Sequence, residues 1–250
     1  MPVRRVILGA VVCACGLAIP IGAFAQVAHG DGFLFGAPTG TLTLRGGYTQ
    51  PSANSDVFSF SDQHLTLGRG DYGGGYVSLE TAYLLRDRLA VLWSVGYSKR
   101  SVGSEFRDWV DNNDRPIEQT TELRRIPIMM GLRYYLSPPG RSLGRLAWVP
   151  ARVAPYLTAG VGTVWYKFMQ TGDFVDYQTL DVFHSTLESN AWTLAGYGAA
   201  GLEYALNARV GLVGEARYDR AHAGMSSDFS GFDRIDLSGL SATVGLLVRF

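Results

Sequence analysis

Cysteine occurs at two positions only, Cys13 and Cys15, both within the first 25 residues. With that stretch removed, no disulfide can staple the remainder. A long hydrophobic run is also missing. Beyond residue 25 no continuous apolar segment approaches the roughly 20 residues that a transmembrane helix needs. Charged residues make up only 18% of the chain and the formal net charge is zero. That balance excludes the strongly basic surface of a nucleic-acid binder. A phosphate loop is absent too, because "GRGDYGGGY" is followed neither by Lys-Ser/Thr nor by a helical pattern.

What is present begins with a secretion signal. Arg4 and Arg5 form a basic start, Val6 to Ala18 an apolar core, and Ala23-Phe24-Ala25 a small-x-small cleavage site before Gln26. Residues 1–25 are therefore expected to be a cleaved signal peptide. Lipidation at Cys15 fits less well, because Cys13 is an unusual residue for that motif's middle position. The chain also holds 31 Gly, 13 Tyr, 12 Phe and 5 Trp. Many aromatics and glycines with little charge and no helical span fit a membrane barrel, whose apolar surface is spread over alternate residues of short strands.

Period-two alternation then marks eight strands, near residues 40–49, 75–85, 89–100, 123–136, 154–169, 190–206, 209–223 and 240–250. In the last, Leu240, Ala242, Val244, Leu246, Val248 and Phe250 share one face, with Ser241, Thr243, Gly245, Leu247 and Arg249 on the other. Pro127 inside the fourth predicts a bulge or a locally broken ladder. Long connections, residues 50–71, 101–118, 172–188 and 224–236, alternate with short ones at 86–88 and 207–209. The exception is "SPPGRSLGRLAWVPAR", a long connection on the short side, whose Trp148 is expected at a membrane interface. Residues 26–39 are expected to be a mobile lead and 40–250 the barrel. Since hydrocarbon leaves no backbone group unpaired, the sheet has to close. The fold expected is an all-β, eight-stranded antiparallel up-and-down transmembrane β-barrel.

The polar faces place Arg45, Glu80, Arg133, Glu203, Glu215, Arg217 and Arg249 inside. An eight-stranded barrel has an interior only wide enough for side chains, so these charges are expected to pair and plug the lumen. Outside the membrane, the long connections carry 15 acids against four Arg, about −11, and the short side six Arg against one Asp, about +5. Acidic loops on one side suit an extracellular face where divalent cations bridge carboxylates to lipopolysaccharide phosphates. Solvation of exposed loops explains the same bias.

No catalytic set stands out. His29 lies in the lead, His64 and His184 in long connections, and His222 beside Asp219 is a loose match to an acid–His rim pair. His184 and Ser185 would point to opposite faces of a strand, which is wrong for a base and nucleophile. Asp108, Asp111, Asn112, Asn113 and Asp114 are rich in oxygen but lack the spacing and glycine of a calcium loop. No metal and no cofactor is expected. The "RGD" at Arg69 to Asp71 recurs too often by chance to assign a receptor.

The terminal strand ending on Phe250, with "LTLGRGDY" and the acidic-aromatic connections, resembles bacterial outer-membrane β-barrels, in particular the class of the outer-membrane protein A transmembrane domain and the outer-membrane protein W family. The resemblance implies outer-membrane localisation, a lipid and lipopolysaccharide environment, and recognition of Phe250 by the barrel-assembly machinery. It transfers no catalytic residue. A monomer with a structural or surface-interaction role is the leading expectation. A narrow channel for ions or small apolar compounds is the rival, and a lipid A-modifying or proteolytic enzyme stands behind both.

Overall fold

The computed structural model describes residues 32–111, 114–176, 179 and 181–250. The expected signal peptide, His29, Asn112 and Asn113 lie outside the described residues. In chain order the elements are β1 (Leu34–Phe35), β2 (Gly40–Pro51), α1 (Asp56–His64), β3 (Gly74–Arg86), β4 (Leu89–Val110), β5 (Pro116–Tyr135), β6 (Gly140–Leu143) and β7 (Ala147–Pro150). There follow β8 (Val153–Val175), β9 (Val182–Ala205), β10 (Val210–Ala223), β11 (Ile235–Asp236) and β12 (Gly239–Arg249).

Eight of these strands close a ring in the order β2-β3-β4-β5-β8-β9-β10-β12, and β12 returns to pair with β2. All pairings are antiparallel. One row of partners runs Ala205, Gly211, Leu247, Thr43, Glu80, Ser94, Met129, Gly162 and back to β9 at Ala195, ten residues from its start. That stagger in an eight-stranded ring tilts the strands by about 40°, inside the usual range for closed barrels. Beside Pro127 no partners join β4 to β5 between Val95↔Ile128 and Ser98↔Arg125, yet the register is the same on both sides. The ring nitrogen of Pro127 has no hydrogen to donate, so the ladder breaks there without a bulge.

The polarity is that of a soluble protein turned inside out. Leu44, Val77, Leu132, Leu157, Val161, Leu194, Val244 and Leu246 are exposed, while Arg45, Glu80, Arg133 and Glu203 are buried. Exposed aromatics bound this apolar surface: Tyr48, Tyr97, Trp192 and Tyr218 toward the long loops, and Tyr83, Trp93, Tyr134 and Phe250 toward the short turns. Tyr83 meets both Trp93 and Phe250 edge to face, each with ring centroids 6.1 Å apart. A continuous apolar wall between two aromatic girdles is at rest in hydrocarbon, so the barrel spans a membrane.

The structure corrects the sequence-based expectation at both ends. β4, β5, β8 and β9 run far past the apolar wall, so much of 101–118 and 172–188 is strand. Residues 50–71 contain α1 and a short 3₁₀ turn, Arg69–Tyr72. The apolar residues of the long loops gather into a second core over the barrel mouth. Phe58 packs on Tyr72 at 4.7 Å and on Phe168 at 5.8 Å, and Phe168 on Phe229 at 5.3 Å. Leu65, Leu67, Ile117 and Ile235 fill the space between them, each almost wholly buried. Hydrogen bonds tie the first loop to the last, with Asp233 N donating to Asp56 Oδ2 at 2.7 Å and Asp236 N to Ser55 Oγ at 3.1 Å.

At the short-turn end, β6 and β7 form a hairpin that pairs with β1 through Leu34↔Trp148 and Phe35↔Ala147. Part of the lead is thus built into a small sheet. Trp148 is buried rather than interfacial. Its ring lies against Gly140, where a side chain would collide with it, and 6.0 Å from the Arg249 guanidinium at the foot of the lumen.

Candidate functional site

The lumen is the best-built polar site among the described residues. Inward side chains come from alternate positions of every strand, so β2 contributes Arg45, β3 Glu80, β5 Arg125 and Arg133, β9 Glu203, β10 Glu215, Arg217 and Asp219, and β12 Arg249. All seven residues singled out from the sequence, Arg45, Glu80, Arg133, Glu203, Glu215, Arg217 and Arg249, are buried.

They lie in three levels. In the middle, Arg45 grips both oxygens of Glu80 at 3.0 and 2.9 Å, and Arg133 Nη2 reaches Glu80 Oε1 at 2.7 Å. Glu215 Oε2 closes the set at 3.5 Å from each arginine and accepts the Tyr156 hydroxyl at 2.8 Å. The Arg133 guanidinium also lies over the Tyr156 ring, 4.0 Å from its centroid. Below, Glu203 receives Arg249 at 3.3 Å and the Tyr135 hydroxyl at 2.7 Å, with Arg133 Nη1 at 3.7 Å linking the two levels. Glu203 and Glu215 each lie between arginines and accept a tyrosine hydroxyl, which offsets the cost of burying their charge, while Arg45 Nε, Arg133 Nη1 and Arg249 Nη1 are buried without a hydrogen-bond acceptor among the described residues.

Arg217 departs from the expected Arg/Glu network. It pairs with Asp219, two residues on along its own strand, at 2.6 and 2.9 Å, and stacks 3.9 Å from the Tyr197 centroid. Asp219 is therefore not the partner of His222. His222 faces outward and its Nε2 lies 3.5 Å from Asp236. Arg125, inward on β5 and outside the set expected from the sequence, donates to the Leu237 carbonyl at 3.0 Å and to Thr49 Oγ1 at 2.9 Å, tying the lumen to the loop cap. Alternation puts Tyr135 and Tyr197 on the same faces as Arg133 and Glu203, but only charged residues were expected in the network, so Tyr135, Tyr156 and Tyr197 were not foreseen as its members.

Glycine makes room for them. A side chain at Gly201 would run into the Tyr156 ring, and one at Gly131 or Gly160 into Tyr197. Inward tyrosine opposite inward glycine is how so narrow a lumen holds large polar rings.

The remaining candidates are dispersed. His184 Nδ1 pairs with Asp173 at 2.9 Å on exposed strand extensions. His64 lies in the loop cap, its Nδ1 3.0 Å from the Phe60 carbonyl. Arg69 and Asp71 of the "RGD" serve their own loop, Arg69 bonding Asn54 and Ser59, and Asp71 accepting from Gly68 N. Asp111 accepts from Arg115 N at 2.8 Å in the hairpin turn.

Comparison with protein-family models gives no match, and comparison with curated proteins gives none. Among solved structures, the chain is similar to the outer membrane protein OprG of Pseudomonas aeruginosa at 16% identity and TM-score 0.47, covering 87% of this chain and 99% of that one. Neisserial surface protein A is similar at 14% identity and TM-score 0.42, over 88% of this chain and 98% of that one. Ail, the attachment invasion locus protein of Yersinia pestis, is similar at 12% identity and TM-score 0.43, over 85% and 99%. By its own strand count, antiparallel order and closure, the chain is an eight-stranded up-and-down β-barrel, the architecture of the small outer-membrane barrels.

Proposed function

We propose that the protein is an outer-membrane barrel with a closed lumen, a structural element of the envelope that presents its long-loop end to the surroundings. The observation that carries this reading is the middle level of the lumen, where Arg45, Glu80, Arg133 and Glu215 bridge four strands across the barrel axis. An ion passing through would have to separate buried pairs, and an uncompensated buried charge costs several kcal/mol. The apolar cap above and the Trp148 hairpin below support the same reading. The acidic long-loop side is the outward one, facing lipopolysaccharide, and the basic short turns face the cell interior.

Planar-bilayer recording on the refolded barrel tests closure. The expected result is no stable unitary conductance for the unaltered protein and its appearance when Glu80 and Glu215 are both replaced by alanine. Reproducible steps from the unaltered protein would instead support the narrow channel.

A further inference from the structure

We propose that Arg220, His222 and Arg234 form a binding site, on the outer wall of the barrel, for a phosphate of an acylated membrane glycolipid. The proposal rests on the outer-membrane reading for the presence of such a lipid in the leaflet around the long-loop end. On β10 the outward residues change from apolar to polar in a single step. Leu212 and Tyr218 belong to the apolar wall, while Arg220 and His222 stand directly above them on the same face. The strand partner of Arg220 is Gly196, which has no side chain to cover it. Arg234, from the last loop, donates Nη2 to the His222 carbonyl at 2.8 Å, and Thr193 Oγ1 donates to the same oxygen at 2.7 Å. With Leu194, these residues line an open groove of about 460 Å³. Leu194 is 81% exposed, so the groove has cations at its top and a bare apolar side chain at its wall.

Charge balance and the apolar wall together mark this place. Lys99 and Arg124 share Glu122 at 2.9 and 2.7 Å, Lys167 holds Glu188 at 2.8 Å, and Arg100 and Arg107 are tied down onto the Asp71 and Leu65 carbonyls of the loop cap. Among the described residues, no carboxylate lies within 4.0 Å of the Arg220 or Arg234 guanidinium groups; His222 Nε2 lies 3.5 Å from Asp236, so the two arginines carry the site's positive charge, and Asp219 is turned inward to Arg217. Two guanidinium forks without an anion, at the edge of an apolar wall, match a phosphate whose acyl chains descend along that wall. The long arginine stems also let the charged heads sit at headgroup level while the strand remains in hydrocarbon.

The test is native mass spectrometry of the micelle-solubilised barrel titrated with bisphosphorylated lipid A, with its dephosphorylated form, and with inorganic phosphate. Bisphosphorylated lipid A is expected to bind, and the dephosphorylated form and inorganic phosphate to bind much more weakly. The double substitution Arg220→Gln and Arg234→Gln is expected to weaken lipid A binding roughly tenfold or more, the weight of lost charge-assisted hydrogen bonds. Lys99→Gln with Arg124→Gln is expected to leave it unchanged. Folding of each variant is read from its heat-dependent gel mobility. Equal binding by the Arg220/Arg234 variant, equal loss in the Lys99/Arg124 variant, or a phosphate signal matching that of the lipid would each overturn the site. Fractionation of cells tests the underlying reading separately, since a barrel absent from the outer membrane would undo that reading whatever the titration gives.

Discussion

Glu80 receives two guanidinium groups at once, so its removal leaves two buried cations rather than one. With Glu80→Ala, Arg45 would keep only Glu215 at 3.5 Å, and Arg133 only Glu215 at 3.5 Å and Glu203 at 3.7 Å, and a broken buried pair costs about 3 to 5 kcal/mol. Urea unfolding in micelles is expected to show that loss for Glu80→Ala and a smaller one for Glu80→Gln, which keeps the side-chain volume and one acceptor oxygen for the arginines but loses the charge and the second acceptor. Equal midpoints for Glu80→Ala and the unaltered barrel would mean water already screens the pair. Which face each charge occupies was readable from alternation, because a slip of one residue moves every side chain across the sheet. Which charge meets which was not readable. Arg217 and Asp219 are neighbours on one face of one strand, whereas Arg45, Glu80, Arg133 and Glu215 meet only because the ten-residue stagger of the ring sets their heights.

The strands were legible and the cap was not. Val57, Phe58, Phe60, Leu65 and Leu67 show as scattered apolar residues without a period, and nothing local says that Phe168 and Phe229 will meet them. The cap holds a titratable probe. Burial, assisted by the nearby Asp62 and Asp71, pushes the Tyr72 phenol from 10.0 up to about 12. The folded cap thus favours the protonated form, and the unfolded chain releases that proton first. The stabilising contribution is fully present below pH 10 and is lost as pH rises toward 12. Tyr72→Phe keeps the ring against Phe58 and has no proton to lose. Near-ultraviolet circular dichroism melts are expected to show the unaltered cap losing more melting temperature than Tyr72→Phe across that window. Parallel losses in the two proteins would place the sensitivity elsewhere.

For the whole molecule, the apolar wall and polar lumen make opposite demands on adjacent positions of one strand. Val244 is 72% exposed and Thr243 8%. Arginine at Val244 is expected to cost roughly 2 to 4 kcal/mol near the bilayer midplane, as charges on a lipid-facing wall do. Refolding yields into bilayers are expected to fall for Val244→Arg relative to Val244→Ala, and no difference between them would remove this surface from the membrane. The ladder that closes the ring joins Gly239–Arg249 to Thr41–Pro51 by eleven partner pairs, 188 to 208 positions apart along the chain. Loop-closure entropy for so distant a pairing is spent before any of those hydrogen bonds forms. Until that last zipper engages, the five inward arginines face an open edge, so the slow step of folding is one that hydrocarbon opposes and an aqueous, protected surface favours.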